Sequence, residues 1–135
     1  MKSIGPALTT IHEICTTSNS DLSIFNLKGK MMFNRKKSKI CEEERIKNKI
    51  SANDWHTLLK QPVGLTNLFI NNKKENKKVS LLQIFFFIRY NNGEPFCFCS
   101  IENYFPELKA AKNVLHDFQK KMEIPCRMKI ISKKN

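Results

Sequence analysis

The stretch from Val79 to Cys99 leaves this chain the fewest options. Val79 to Tyr90 holds Ile84, Phe85, Phe86, Phe87 and Ile88 in unbroken succession, a β-branched and aromatic run of strand length. Asn91-Asn92-Gly93 follows, residues that tolerate positive φ and so suit a hairpin turn. Phe96-Cys97-Phe98-Cys99 then reads as the returning strand. Both faces of the first strand are apolar. Such a strand lies mid-sheet, in an interface, or between packed elements on both sides; left open, it would aggregate. The Phe85-Phe86-Phe87 cluster is most simply core, with a homodimer contact as the alternative use of one face.

Helical spacing continues the reading. Phe105, Leu108, Ala111, Val114 or Leu115, Phe118 and Met122 form an apolar stripe. Pro106 suits its first turn, Lys120 and Lys121 its C-terminal end, and Pro125 its stop. Arg127 to Ile131 reads as a short last strand. Upstream, Leu8, Ile11, Ile14 and Cys15 suggest a short helix within 1–16. Leu22 and Ile24, then Met31 to Phe33, read as two short strands broken at Lys28-Gly29-Lys30. Ser51, Asn53 or Asp54 can cap a helix carrying Trp55, Leu58 and Leu59. Leu65 to Ile70 is an apolar patch, and Asn71 to Lys78 reads as a basic loop. The 135 residues fit one domain. The expected class is α+β, an antiparallel sheet with packed helices, built from two diverged strand–strand–helix units at 22–66 and 79–122.

Charge narrows the partners. Lys and Arg total 24 against 12 Asp and Glu, a net of +12, which points to a polyanion. An A/T-rich genome would raise Lys together with the 14 asparagines present; the same bias would enrich Glu, which has not kept pace. Arg35, Lys36, Lys37, Lys39, Arg45, Lys47 and Lys49 face only Glu42, Glu43 and Glu44 across a stretch poor in apolar residues. Lys28, Lys30, Arg35, Lys36, Lys37, Lys39, Lys47 and Lys49 are therefore the candidate phosphate contacts, because each neutralised phosphate releases counterions. Trp55 and Tyr90 are candidate stacking faces, worth ~1–3 kcal/mol per base when used.

Other classes find less support. Leu81 to Ile88 is far shorter than the ~20 residues a bilayer requires, so no membrane is expected. Five cysteines without a framework spacing suit a reducing, intracellular compartment. Cys97 and Cys99 share a strand face, but no CxxC or HxxxH unit completes a metal site, and no cofactor is implied. His116-Asp117 has no nucleophile motif to serve, so the chain is read as non-enzymatic.

The segment Leu22 to Asn34 resembles the strand pair of the positive-cofactor-four family, single-stranded-DNA-binding transcriptional coactivators. In that family an aromatic-Lys-Gly-Lys step joins two strands, and a basic loop leads to Ile-Ser and a Trp-bearing helix. Lys28-Gly29-Lys30, the basic stretch to Lys49, Ile50-Ser51 and Trp55 occur here in that order. Phe25 replaces the family's basic residue and Leu27 its aromatic. The resemblance spans roughly 22–60. It implies a groove for single strands, a role in transcription, a homodimer or one chain imitating it, and a nuclear location. The expectation is thus a nucleic-acid-binding protein, single strands favoured. The competing expectation is an interaction or scaffold module that dimerises through its Phe-rich sheet.

Overall fold

The computed structural model of the chain describes residues 21–35, 50–74 and 77–132, the side chains of Arg35, Lys73 and Lys74 excepted. The helix expected in 1–16 lies outside the described residues. β1 (Asp21–Phe25) and β2 (Met31–Arg35) precede α1 (Ala52–Lys60); β3 (Gly64–Lys74), β4 (Lys77–Arg89), β5 (Pro95–Phe105), α2 (Leu108–Met122) and β6 (Cys126–Ser132) follow. The strands form one sheet in the order β2-β1-β5-β4-β3-β6. The class is α+β, as the sequence predicts. The sheet is mixed rather than antiparallel throughout, because β6 runs parallel to β3. The cause is α2, which returns the chain from the end of β5 to the end where β3 begins. There Gly64 sits so close to Cys126 that a Cβ would lie 2.8 Å from its Sγ.

Alternation along β4 explains the core. Leu82, Ile84, Phe86 and Ile88 join Leu22, Leu68, Cys97, Cys99 and Ile101 beneath Ala111, Leu115 and Phe118 of α2. Phe85 and Phe87 point the other way, and with Phe25 and Phe98 they pack against Ile50 and against Leu58 of α1. A period of two therefore feeds two cores, one on each sheet face. Phe98 is the hub of the second. Its ring centroid lies 6.3 Å from Phe25, 5.0 Å from Trp55, 6.1 Å from Phe85 and 5.0 Å from Phe87.

Local chemistry sets the ends of α1. Ser51 Oγ accepts the Asp54 N–H at 3.1 Å, so Ser51 is the cap among the three candidates. At the other end, Arg89 Nη2 donates to the carbonyls of Leu58, Leu59 and Gln61 at 2.7, 2.9 and 3.1 Å, while Nη1 donates to the Gly93 carbonyl at 2.8 Å. One guanidinium thus satisfies orphan carbonyls of the helix and ties it to the β4–β5 turn. In the β1–β2 turn the Asn26 side chain accepts from the Lys28 and Lys30 N–H groups at 3.0 and 2.9 Å, with Gly29 at φ 82°.

Two sequence expectations need correction. The strand–strand–helix units exist, but they do not imitate a dimer. A two-fold axis relating the units would join equivalent strands at their seam, whereas β1 pairs with β5 rather than with β4, its counterpart in the second unit. Nor does a Phe-rich face remain for dimerisation. Phe85, Phe86 and Phe87 are at most 3% exposed within the single chain.

The hub can be tested. Phe98→Ala is expected to cost about 3–5 kcal/mol in urea unfolding, the range for removing a fully buried ring. A loss below ~1 kcal/mol would contradict the two-core description.

Candidate nucleic-acid interface

Of the eight predicted phosphate contacts, the described side chains are those of Lys28 and Lys30. Lys28 and Lys30 are exposed in the β1–β2 turn. Arg35 ends β2, its side chain outside the description. Lys36, Lys37, Lys39, Lys47 and Lys49 lie outside the described residues. The predicted stacking faces are engaged elsewhere. Trp55 is half-buried, 4.8 Å from the Phe87 ring and 5.0 Å from that of Phe98, so it belongs to the core. Tyr90 sits half-buried in the β4–β5 turn, 5.3 Å from Phe96. Hydrophobic burial of large rings outweighs their exposure as platforms. α2 packs on one sheet face, and α1 covers the Phe85–Phe87 end of the other, where half-buried Asn67, Gln83 and Glu102 form a hydrogen-bonded ladder further along.

The β1–β2 turn does border a cleft of about 290 Å³. Leu27, Ile50, Ala52 and Trp55 give it apolar walls, with Lys28 and Ser51 at its polar part. The buried Cys97 and Cys99 offer little reactive chemistry: burial pushes the Cys97 thiol up to about 11, which keeps it protonated near neutral pH.

A different element collects cations. β3 and β4 outrun the sheet to which they belong. Among the described residues, β5 accompanies β4 to Ser80, opposite Phe105, and β6 accompanies β3 to Ile70, opposite Ser132, the last residue described. Beyond those points Asn72 pairs with Val79, Lys73 with Lys78 and Lys74 with Lys77. This is a two-stranded ribbon, flanked by no other strand among the described residues. It extends roughly 10 Å at ~3.4 Å per residue. Where it leaves the sheet, the step from Phe69 to Asn72 on β3 matches the shorter step from Leu81 to Val79 on β4. One extra residue is accommodated there as a bulge, and Asn71 takes φ 61°. Bulges bend a strand and increase its twist, which re-aims the ribbon relative to the sheet.

The ribbon sets lysine opposite lysine at two successive positions. Like charges in direct cross-strand register are destabilising, so this backbone register gives the ribbon no cross-strand stabilisation of its own. Lys77 and Lys78 are exposed. α2 opens at the same end of the sheet, since its first residue closely follows Phe105, and it adds exposed Lys109 and Lys112. Lys28, Lys30, Lys60, Lys120 and Lys121 belong to the opposite end, about 30 Å away along β4 at ~3.3 Å per residue. The sequence signal was the symmetric Lys73-Lys74-x-x-Lys77-Lys78 spacing. A loop reading, taken from polarity alone, misses that a hairpin turns this spacing into opposed pairs.

The left-handed bulge residue gives a direct check. Asn and Gly tolerate positive φ, whereas Ala does so at a cost of roughly 1–2 kcal/mol. Asn71→Ala should lower stability by about that amount in thermal or urea unfolding, and Asn71→Gly should be close to neutral. Equal effects from both would remove the bulge as a conformational constraint.

Neither a protein-family model nor a curated protein matches the chain. Among solved structures, the chain is similar to the PAS domain of BvgS from Bordetella pertussis, at 10% identity and a TM-score of 0.40, over 86% of this chain and 98% of that one.

Proposed function

We propose that this protein binds nucleic acid without a catalytic role, using the β3–β4 ribbon and the first turns of α2 to neutralise phosphates. The observation that carries this reading is the opposed register Lys73–Lys78 and Lys74–Lys77 on an arm projecting from the sheet. An anion between such pairs relieves their mutual repulsion, so the cost in the unbound protein becomes affinity in the complex. The net charge of +12 adds long-range attraction for the same partner. His116 and Asp117 lie exposed on α2 and support no catalytic cluster. A role in transcription and an intracellular, nuclear location remain part of this proposal through the resemblance over 22–60.

A second reading has its own support. Met32 and Phe33 on β2 are 60% and 50% exposed, and Met128 and Ile130 on β6 are 45% and 50% exposed. Both are edge strands, and an apolar edge favours pairing with another chain. In that case the protein is an interaction module, homodimeric or paired with another protein, and its association would be insensitive to salt.

Titrating labelled oligonucleotides over a salt series separates the two. At ~50 mM salt the first reading expects binding that weakens linearly on a log–log plot. Lys77→Ala with Lys78→Ala should reduce that slope by about 2, roughly one per lost phosphate contact. No binding at low salt, or a slope unchanged in the double variant, would count against it.

A further inference from the structure

Resting on the second reading above, we propose that β6 receives an extended acidic peptide by strand addition, one in which carboxylate and apolar side chains alternate. β6 ends the sheet order, and among the described residues no strand flanks it on its outer side. Arg127, Met128, Lys129 and Ile130 are exposed in succession, so this edge is uncovered. Its pairing with β3 runs from Gly64 opposite Cys126 to Ile70 opposite Ser132 without a register shift. β2, the other edge, carries a shift opposite Ile24 and Phe25, an irregularity that twists an edge away from new partners.

Two hydrogen bonds give the direction of the backbone groups. A strand residue turns its N–H and C=O to one side, and the next residue turns them to the other. The Pro125 carbonyl accepts the Gly64 N–H at 2.9 Å, on the β3 side. Cys126 accordingly points outward, where its N–H donates to Gln119 Oε1 of α2 at 3.0 Å. Continuing the alternation, Arg127, Lys129 and Ile131 turn their groups to β3, whereas Met128 and Ile130 turn theirs outward. The outward row is therefore satisfied by a side chain at its start and presents main-chain donors and acceptors beyond it, the template that an added strand requires.

Side chains set the chemistry of the partner. Met128 lies opposite Thr66 and Ile130 opposite Leu68, so both stand on the α2 face. Arg127 lies opposite Leu65 and Lys129 opposite Asn67, on the α1 face; there Arg127 Nη2 donates to Gln61 Oε1 at 3.2 Å. The edge thus offers apolar groups on one face and cations on the other, with a period of two. An added strand of matching alternation sets apolar residues beside Met128 and Ile130 and carboxylates beside Arg127 and Lys129, and both kinds of cross-strand pair are stabilising. A second copy of this chain fits less well. Antiparallel overlap of the exposed residues sets Arg127 against Lys129, or Lys129 against itself, and like charges directly opposite repel. A nucleic-acid strand has no amide row to match the outward groups. The net charge of +12 attracts an acidic chain from a distance.

The test is fluorescence anisotropy with the full chain and labelled, end-capped peptides of about eight residues, one alternating glutamate with valine and one alternating lysine with valine. At ~50 mM salt the glutamate peptide should bind roughly ten-fold or more tightly than the lysine peptide. N-methylation of alternate amides in the glutamate peptide removes the N–H groups of one side at a time. One register of methylation should abolish binding and the other should retain it, because strand addition uses one side of the peptide backbone. Arg127→Glu with Lys129→Glu, both at exposed positions and with the parent's melting transition, should invert the preference toward the lysine peptide. Equal binding of the two peptides, equal effects of the two methylation registers, or an unchanged preference in the variant overturns the β6 site while leaving an interaction module intact. Sedimentation velocity of the chain alone reports on the other occupant. A dimer abolished by Met128→Lys with Ile130→Lys assigns the edge to a second copy, which keeps the second reading and overturns the peptide. A monomer that binds neither peptide overturns both.

Discussion

Burial of β4 on both faces is the constraint on which the remaining architecture depends. An ordinary surface strand hides one face and wets the other. Here Ile84 to Ile88 have no polar alternate, so each face demands a cover. α2 supplies one and α1 the other. The chain must therefore place a helix on each side of the sheet and run a long crossover to do so, and β6 arrives parallel to β3 as a result. Stabilisation is concentrated in the same place. Phe98 gathers four rings on one face and Phe86 meets Phe118 at 5.1 Å on the other, contacts worth ~0.5–1.5 kcal/mol each beyond their buried area.

That constraint also decides where function can reside. The helices close one face and the Phe85–Phe87 end of the other. The edges, the ends, the helix exteriors and the half-buried Asn67–Gln83–Glu102 ladder remain accessible. The β3–β4 ribbon is the end feature that costs the fold something, through Asn71 in the left-handed region, and its register sets lysine positions opposite one another. Local expense of this kind is where function is to be sought, because a sequence optimised only for stability would remove it. The exposed Met and Phe side chains of β2 are a lesser expense of the same type.

The sequence revealed the parts governed by local physics. The β4–β5 hairpin, a helix start within 51–54, the α2 stripe and the short strand after Pro125 all follow from periodicity, turn residues and capping. Sheet order did not, because it depends on which long-range partners win; nothing in residues 22–35 announces that β1 pairs with β5. The site was less legible. Trp55 reads as a platform beside basic residues, yet its large apolar area draws it against Phe87 and Phe98. Asn71 to Lys78 reads as a loop because Asn and Lys are poor strand formers. The flanking apolar runs of β3 and β4 carry the pairing through it, and tertiary context overrides propensity.

Lysine acetylation read by mass spectrometry, with and without bound oligonucleotide, tests the central claim most directly: that the ribbon end is the working surface. Protection is expected at Lys73, Lys74, Lys77, Lys78, Lys109 and Lys112, while Lys28, Lys30, Lys60, Lys120 and Lys121 react as in the unbound protein. Protection centred on the second group, or spread evenly over both, would contradict it.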